Sequence, residues 1–330
     1  MAANIAGMKL LLDDGTDLAA KIDPRFIELT LTEKRGGEAD ELSLTLQNHD
    51  GRLIAPETGR ILTLSLGWRS GGTSTGLVGK GRFKVDEVEE SGPPDIITIR
   101  ARSADLAGDY RKRRTQVWRD TTVGALLSAI AARNGIAAKV HPDLAGLAIE
   151  VLDQHGKSDM AMVKDLGSRF DAVATWKDRA LLFMPVGAST TASGAAIPTL
   201  TLTRRDGGTW RFTRADRDEH NGAEAEWHDK AQGKRQKVTS GGTNRKRLKR
   251  VYASQAEADQ AARAAANKGK RGAIKFEYAL AQADMQIQPN ARAKMLGWNA
   301  RVDAAIWLVE SVETSLGAGG LQQKVTLESA

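Results

Sequence analysis

Leu42, Leu44 and Leu46 alternate with Ser43, Thr45 and Gln47, and Leu62, Leu64 and Leu66 alternate with Thr63, Ser65 and Gly67. Ile97, Ile99 and Ala101 repeat the pattern against Thr98, Arg100 and Arg102. A repeat of two sends alternate side chains to opposite faces of an extended chain, so each stretch predicts a strand with one buried face. Turn-forming clusters separate the runs: Asp13-Asp14-Gly15, Asn48-His49-Asp50-Gly51, Ser70-Gly71-Gly72 and Ser91-Gly92-Pro93-Pro94. Strands at this spacing predict an antiparallel barrel or sandwich over residues 1–110.

The period changes after Arg111-Lys112-Arg113-Arg114. Thr122 is placed to cap a helix whose Val123, Leu126, Leu127 and Ile130 share one face and which ends near Asn134-Gly135. A second helix is expected from Ser158, with Val163, Leu166 and Phe170 three and four residues apart. Short strands around Ala172–Trp176 and Ala180–Met184 complete a small α/β module over residues 115–186.

Alternation returns from Thr199: Leu200 with Leu202, Trp210 with Phe212, Ala225 with Trp227, then strands at Lys275–Leu280, Ala305–Val312 and Lys324–Leu327. Two features interrupt this third region, residues 187–330. The segment Lys230–Arg250, centred on Ser240-Gly241-Gly242-Thr243-Asn244, reads as an exposed loop without a means of burial. Ser254 and Glu257 form a capping-box pattern ahead of an alanine-rich helix over about 254–268, ending near Gly269. The order is therefore β, α/β, β: mainly β with an α+β insert.

Charge sharpens this picture. The 330 residues carry 48 Lys+Arg against 41 Asp+Glu, a formal net charge of +7. Nine of the basic residues, and no acidic one, lie in Lys230–Arg250; without them 39 basic residues face 41 acidic, a net of −2. The excess is one local segment and not a coat for wrapping nucleic acid. The absence of cysteine excludes disulfides, thiolate-ligated metal centres and cysteine nucleophiles. Met1–Leu12 has too short an apolar run for a signal peptide, and stretches such as Leu126–Ala132 fall far below the ~20 residues that span a bilayer. Synthesis and folding in a cytoplasm, with no stable membrane association, are expected.

Candidate chemistry is sparse. His49, His141, His155, His220 and His228 are scattered; His220 and His228 flank Glu224 and Glu226, but on a strand all four share a face opposite Trp227, the pattern of a polar, solvent-facing strand rather than a metal site. Gly76-Leu77-Val78-Gly79-Lys80-Gly81 lacks the ending of a phosphate loop and precedes a strand, not a helix, so it reads as a strand edge with bulge glycines. Asp86-Glu87 and Glu89-Glu90 are neighbours on one strand and point to opposite faces, not across a cleft as paired catalytic carboxyls do. The seven tryptophans, at 68, 118, 176, 210, 227, 298 and 307, suit core or subunit-interface positions. Lys230–Arg250 is open to three uses beyond a solvated linker: nucleic acid, an acidic partner, or a channel wall. It has no aromatic residue before Tyr252, which argues against reading single-stranded bases. No catalytic residue, cofactor or metal ligand is assigned.

Leu29–Leu42, Leu62–Trp68, Gly81–Val88 and Gly92–Asp105 together resemble the late control gene D family, tail proteins of contractile-tailed phages. The likeness continues through Trp118–Thr122, Ala131–Asn134, Leu144–Leu147 and Thr191–Gly194, and more loosely through Val251–Ser254 and Trp307. The family is similar to baseplate hubs and to the hub part of secretion-system spike proteins. The resemblance implies a non-enzymatic virion protein of the tail baseplate, assembled in the host cytoplasm. It implies two tube-like antiparallel β-barrel domains flanking or enclosing the α/β module. Three chains then present six barrels, adapting a sixfold tail tube to a threefold central spike around a channel for DNA in transit. Implied partners are two further copies of the chain, the spike, the tail tube or tube-initiator protein, and the tape measure and other baseplate proteins. The chain departs from the family at Lys230–Arg250, which is longer in its members, and a basic nucleic-acid-binding accessory protein acting through that segment is the alternative.

Overall fold

A computed structural model of the chain describes residues 4–70, 76–103, 108–177, 179–214, 220–271 and 274–330. Gly71 and Gly72 of one expected turn, and Ala104 and Asp105 of the family-like stretch, lie outside the described residues. The first region holds β1 (Ile5–Leu12), α1 (Ala19–Ile22), β2 (Phe26–Lys34), β3 (Glu41–Gln47), β4 (Ile61–Ser70), β5 (Gly76–Ser91) and β6 (Ile96–Arg102). The middle holds β7 (Arg113–Thr122), α2 (Val123–Arg133), β8 (Ala137–Val140), α3 (Pro142–Ala145), β9 (Ala148–Ser158), α4 (Asp159–Phe170), β10 (Ala172–Lys177) and β11 (Ala180–Pro185). There follow β12 (Leu200–Thr203), β13 (Gly207–Arg214), β14 (Gly222–Asp229), β15 (Lys234–Gly241), β16 (Arg245–Tyr252) and α5 (Gln255–Arg271). The chain closes with β17 (Ile274–Leu280), β18 (Arg292–Leu296), α6 (Ala300–Ala304), β19 (Ile306–Gly317) and β20 (Gly320–Ser329).

The protein is mainly β, as the alternation predicts. Its largest sheet has twelve strands, in the order β1-β4-β5-β6-β3-β2-β19-β20-β17-β13, with β18 branching from β19 and β12 pairing with β18. The first and third regions are thus joined through β2 and β19. No ladder among the described residues links the end strands β1 and β13, and on the branch β12 pairs only with β18, so the sheet is left open at three strands. It wraps two separate cores. Leu10, Leu29, Leu31, Leu44, Leu64, Phe83 and Ile99, contributed by the six strands from β1 to β6, form one cluster, to which Met285 and Leu321 are added from the far end of the chain. Phe276, Tyr278, Trp307, Val309, Val312, Val325 and Leu327 form the second. Burying each large side chain contributes about 1.5–3 kcal/mol, which fixes the strand register, since a slip of one residue would turn every leucine outward.

Helix ends in the middle module follow their caps. Thr122 Oγ1 accepts from Ala125 N at 3.2 Å, and Ser158 Oγ accepts from Ala161 N at 3.2 Å. α4 ends at Asp171 in the left-handed region, φ 50°, a conformation that a short polar side chain tolerates. Both helices pack over the sheet β10-β11-β8 and the ribbon β7-β9 through Val123, Leu126, Ile130, Leu166, Phe170 and Phe183.

Lys230–Arg250 differs from the expected loop. Lys234–Gly241 and Arg245–Tyr252 are strands flanking β14, antiparallel through β15 and parallel through β16. The period is hidden because most of the exposed positions are basic, while Val238, Leu248 and Tyr252 pack toward α5. α5 also runs past Gly269 to Arg271. A Cβ on Gly269 would lie 2.7 Å from His220 O, so this glycine permits close packing and does not stop the helix.

Asp159, fully buried at the start of α4, carries the densest polar cluster. Its carboxylate accepts from Arg133 Nη2 at 2.6 Å, Arg133 Nε at 2.8 Å, Asn134 Nδ2 at 2.9 Å and Gln154 Nε2 at 2.9 Å. Removing one member of such a cluster leaves an uncompensated buried charge. Asp159→Ala is expected to lose about 3–5 kcal/mol in urea unfolding. Asp165→Ala, which breaks only the exposed pair with Lys157, is expected to lose under about 1 kcal/mol. Equal losses would contradict the assignment of Asp159 as the anchor.

Candidate assembly surfaces

The titratable residues singled out in the sequence do not converge. His141 is buried as the cap of α3: Nδ1 accepts from Asp143 N at 3.2 Å, and Nε2 lies 2.8 Å from Thr190 Oγ1. His220 Nδ1 meets Asn244 Oδ1 at 3.0 Å, whereas His228 is exposed. Glu224 pairs with Lys237 at 2.9 Å and Glu226 with Arg247. The hydrogen bond from Lys237 holds the Glu224 carboxyl below its ordinary range. Glu226 is buried, contrary to the expected solvent-facing strand, because Arg247 of the neighbouring strand lies over it. No cluster of three or more His, Asp or Glu side chains suited to a metal forms among the described residues. The acids of β5 are exposed and tied to β6: Arg100 reaches Glu87 and Glu89, and Arg102 reaches Asp86 at 3.2 Å.

Gly76–Gly81 opens β5 and pairs with β4 alone. The register shifts there, Leu64 facing Gly81 and Ser65 facing Gly79, so Lys80 is the extra residue of a bulge and Gly81 adopts φ 106°. The bulge turns Lys80 inward, where Nζ meets Glu33 at 2.9 Å and Met285 O at 3.2 Å. It therefore fastens β5 to β2 and to the C-terminal region.

The surfaces left unsatisfied are strand edges. β1 pairs only with β4, apart from one isolated bridge, and β13 pairs only with β17. An unpaired edge offers a row of free backbone donors and acceptors to another chain. β13 is exposed along most of its length and carries Trp210, 41% exposed, stacked on Phe276 at 5.8 Å between ring centroids, with the Arg204 guanidinium 5.7 Å from the indole. The other tryptophans on the large sheet are inside it: Trp68 Nε1 donates to Ala283 O at 2.9 Å and Trp307 Nε1 to Val302 O at 3.0 Å. Nothing in the alternation distinguishes Trp210 from these, since the presence of a neighbouring strand decides exposure.

The second surface is the sheet β15-β14-β16. One face packs on α5 through Ala223, Ala225, Val238 and Tyr252 against Ala258, Ala261, Ala262 and Ala266, small residues that bring helix and sheet close. Lys230, Lys237 and Arg247 are neutralised by Glu150, Glu224 and Glu226. Lys234, Arg235, Lys246 and Lys249 are exposed. The positive surface is smaller than the nine-residue count suggests.

No family model matches the sequence, and no helix among the described residues is long and apolar enough to cross a membrane. Comparison with individual proteins is decisive. The chain is 35% identical to the probable baseplate hub protein of Escherichia phage P2 over 360 aligned positions, covering 97% of this chain and 92% of that protein. It is 35% identical to the probable baseplate hub protein of Escherichia phage 186 over 367 positions, covering 98% and 93%. Among solved structures it is similar to the 43 kDa tail protein of prophage MuSo2 from Shewanella oneidensis, with a TM-score of 0.70, 14% identity and 98% of both chains covered. It is also similar to an Escherichia coli type VI secretion component described as structurally similar to phage tail proteins, with a TM-score of 0.56, 14% identity, and 93% and 74% of the chains covered. The likenesses in structure show a shared fold, and the identity over nearly the whole length shows descent: the chain belongs to the phage baseplate hub family, as the late control gene D resemblance of its first hundred residues implies.

Proposed function

We propose that the protein is the structural, non-catalytic centre of a contractile-tail baseplate, a homotrimer that joins the sixfold tail tube to the threefold central spike around the channel. The carrying observation is the twelve-stranded sheet with open end strands, β1 and β13 among them, wrapped around two cores. Residues 1–110 and 187–330 supply the two tube-like units, with 115–186 as the module beside them. Three chains give six such units. Contact between copies covers edges that a monomer would leave open to aggregation. The spike and the tube or tube-initiator protein occupy the two ends of the ring, the tape measure and other baseplate proteins lie against it, and DNA passes without being held. Its place is the virion tail, after assembly in the host cytoplasm.

The test is the solution mass. About three times the 35.5 kDa chain mass is expected, by light scattering or native mass spectrometry, alone or with the spike. Trp210→Glu, at an exposed position on the open edge, is expected to weaken the trimer at least tenfold while leaving the circular dichroism unchanged. A wild-type protein that stays monomeric with spike and tube present would refute the proposal.

The clustering of Lys234, Arg235, Lys246 and Lys249 on one small sheet favours a second reading, nucleic-acid binding. Because the segment is two strands of a sheet, substitution tests it better than deletion. Changing the four residues to glutamine should leave duplex-DNA affinity, measured at about 50 and 200 mM salt, as weak as in the wild type. Tight wild-type binding that falls steeply with salt and vanishes in the quadruple variant would favour the second reading instead.

A further inference from the structure

The sheet β15-β14-β16 ends on two edges, because among the described residues β15 and β16 each pair only with β14. An edge strand can hydrogen-bond a strand of another copy, and a sheet whose one face is already packed on a helix can grow in this way. The cations lie on the two edge strands and not on the centre. β14 has no Lys or Arg, whereas β15 carries Lys234, Arg235 and Lys237, and β16 carries Arg245, Lys246, Arg247, Lys249 and Arg250. Lys237 and Arg247 neutralise the two glutamates of β14. Arg245 Nε donates to Gly242 O at 3.1 Å, and the Arg250 guanidinium lies 5.8 Å from the Tyr252 ring. Lys234, Arg235, Lys246 and Lys249 are exposed and make no side-chain hydrogen bond or ion pair among the described residues. Nothing inside the chain requires their charge.

The order of residues along β16 gives that charge a use. With β16 of one copy antiparallel to β16 of another about Arg247 and Leu248, Arg245 faces Arg250 and Lys246 faces Lys249. A slip of one residue one way sets Lys246 against Arg250 and Arg247 against Lys249; a slip the other way sets Arg245 against Lys249 and Arg247 against its own counterpart. Every antiparallel offset that keeps more than half of the strand's eight residues opposed places at least one cation against another. Residues directly opposite on paired strands stand about 4.5–5.5 Å apart between Cβ atoms, and like charges at that distance oppose the pairing. The backbone adds to this. Arg247 lies opposite Glu224 and Val251 opposite Glu226, so Leu248, Lys249 and Arg250 stand against Ala225 alone. A bulge of this kind bends an edge away from a straight partner. We infer that the basic residues of β15 and β16 act against self-association: they stop other copies from extending this sheet and confine contact between copies to other surfaces. The inference needs no particular oligomeric state, because it concerns only what would be added to the wild-type assembly.

The test compares full-length variants by sedimentation velocity over a range of protein concentrations, with circular dichroism as the check on folding. Lys246→Thr combined with Lys249→Thr is expected to raise the self-association constant about tenfold and to give species larger than the wild-type assembly. Lys246→Glu is expected to raise it further, since its carboxylate would face Lys249 or Arg250 of the other copy. Lys164→Gln combined with Arg263→Gln removes the same two charges from exposed positions on α4 and α5 and should leave the wild-type mass unchanged. Hydrogen exchange locates the contact, with backbone amides of β15 or β16 gaining protection in the larger species. If the double threonine variant does not fold, Lys246→Glu decides. A folded edge variant that keeps the wild-type mass at every concentration, equal association of the helix control, or protection gained away from β15 and β16 would each overturn the inference.

Discussion

Seven consecutive pairs between β2 and β19, from Lys34 opposite Ser311 to Glu28 opposite Gly317, hold the molecule together. These strands are separated by most of the chain, and every other ladder in the large sheet lies on one side of them or the other. The closure entropy of so long a loop grows only slowly with length, so such a pairing is affordable once both cores have formed. At the end of the ladder sits a buried ionic chain. Arg35, just past β2, meets Glu328 of β20 at 2.7 Å; Arg271, at the end of α5, meets Glu328 through Nε at 3.4 Å and grips Asp171 with its two terminal guanidinium nitrogens. Four elements from all three regions are thereby pinned at one point.

Buried charge ties separate elements together, both within a region and where one region meets another. Lys80 and Glu33 tie β5 to β2, Arg169 and Glu257 tie α4 to α5, and Arg271 ties α5 to the last strand and to the end of α4. Within each region the bulk of the core is apolar, the Asp159 cluster of the middle module being a buried ionic exception. The division has a physical sense. Apolar packing tolerates many arrangements of similar volume, whereas a desolvated ion pair is favourable only in one geometry. The apolar clusters supply the bulk of the stability, and the ion pairs specify how the clusters sit against each other.

The open sheet ends and the basic sheet are then consequences of where pairing stops. This chain keeps strand edges, one exposed indole and a cluster of cations outside a well-filled interior.

Local periodicity determined a great deal. The leucine repeats of β3 and β4, the isoleucines of β6, the caps at Thr122 and Ser158, and the bulge glycines before Arg82 are all readable from neighbours within a few residues, because strand faces, helix ends and bulges are local geometry. The motifs between Leu29 and Asp105 likewise sufficed to name the family. What the chain could not disclose in one dimension depends on partners distant in sequence. The basic segment became two strands because β14 was there to pair with it, and α5 overran Gly269 because Asp171 and Glu328 hold Arg271. The capping box at Ser254 is only half built: Ser254 Oγ accepts from Glu257 N at 3.4 Å, but the Glu257 carboxylate turns away to Arg169 and Glu150. The union of two β regions in one sheet, the inward turn of Lys80, the exposure of Trp210 and the pairing of Arg169 with Glu257 were decided by tertiary structure alone. Each depends on which strand or charge arrives from dozens of residues away or more, or fails to arrive, and no local pattern encodes that.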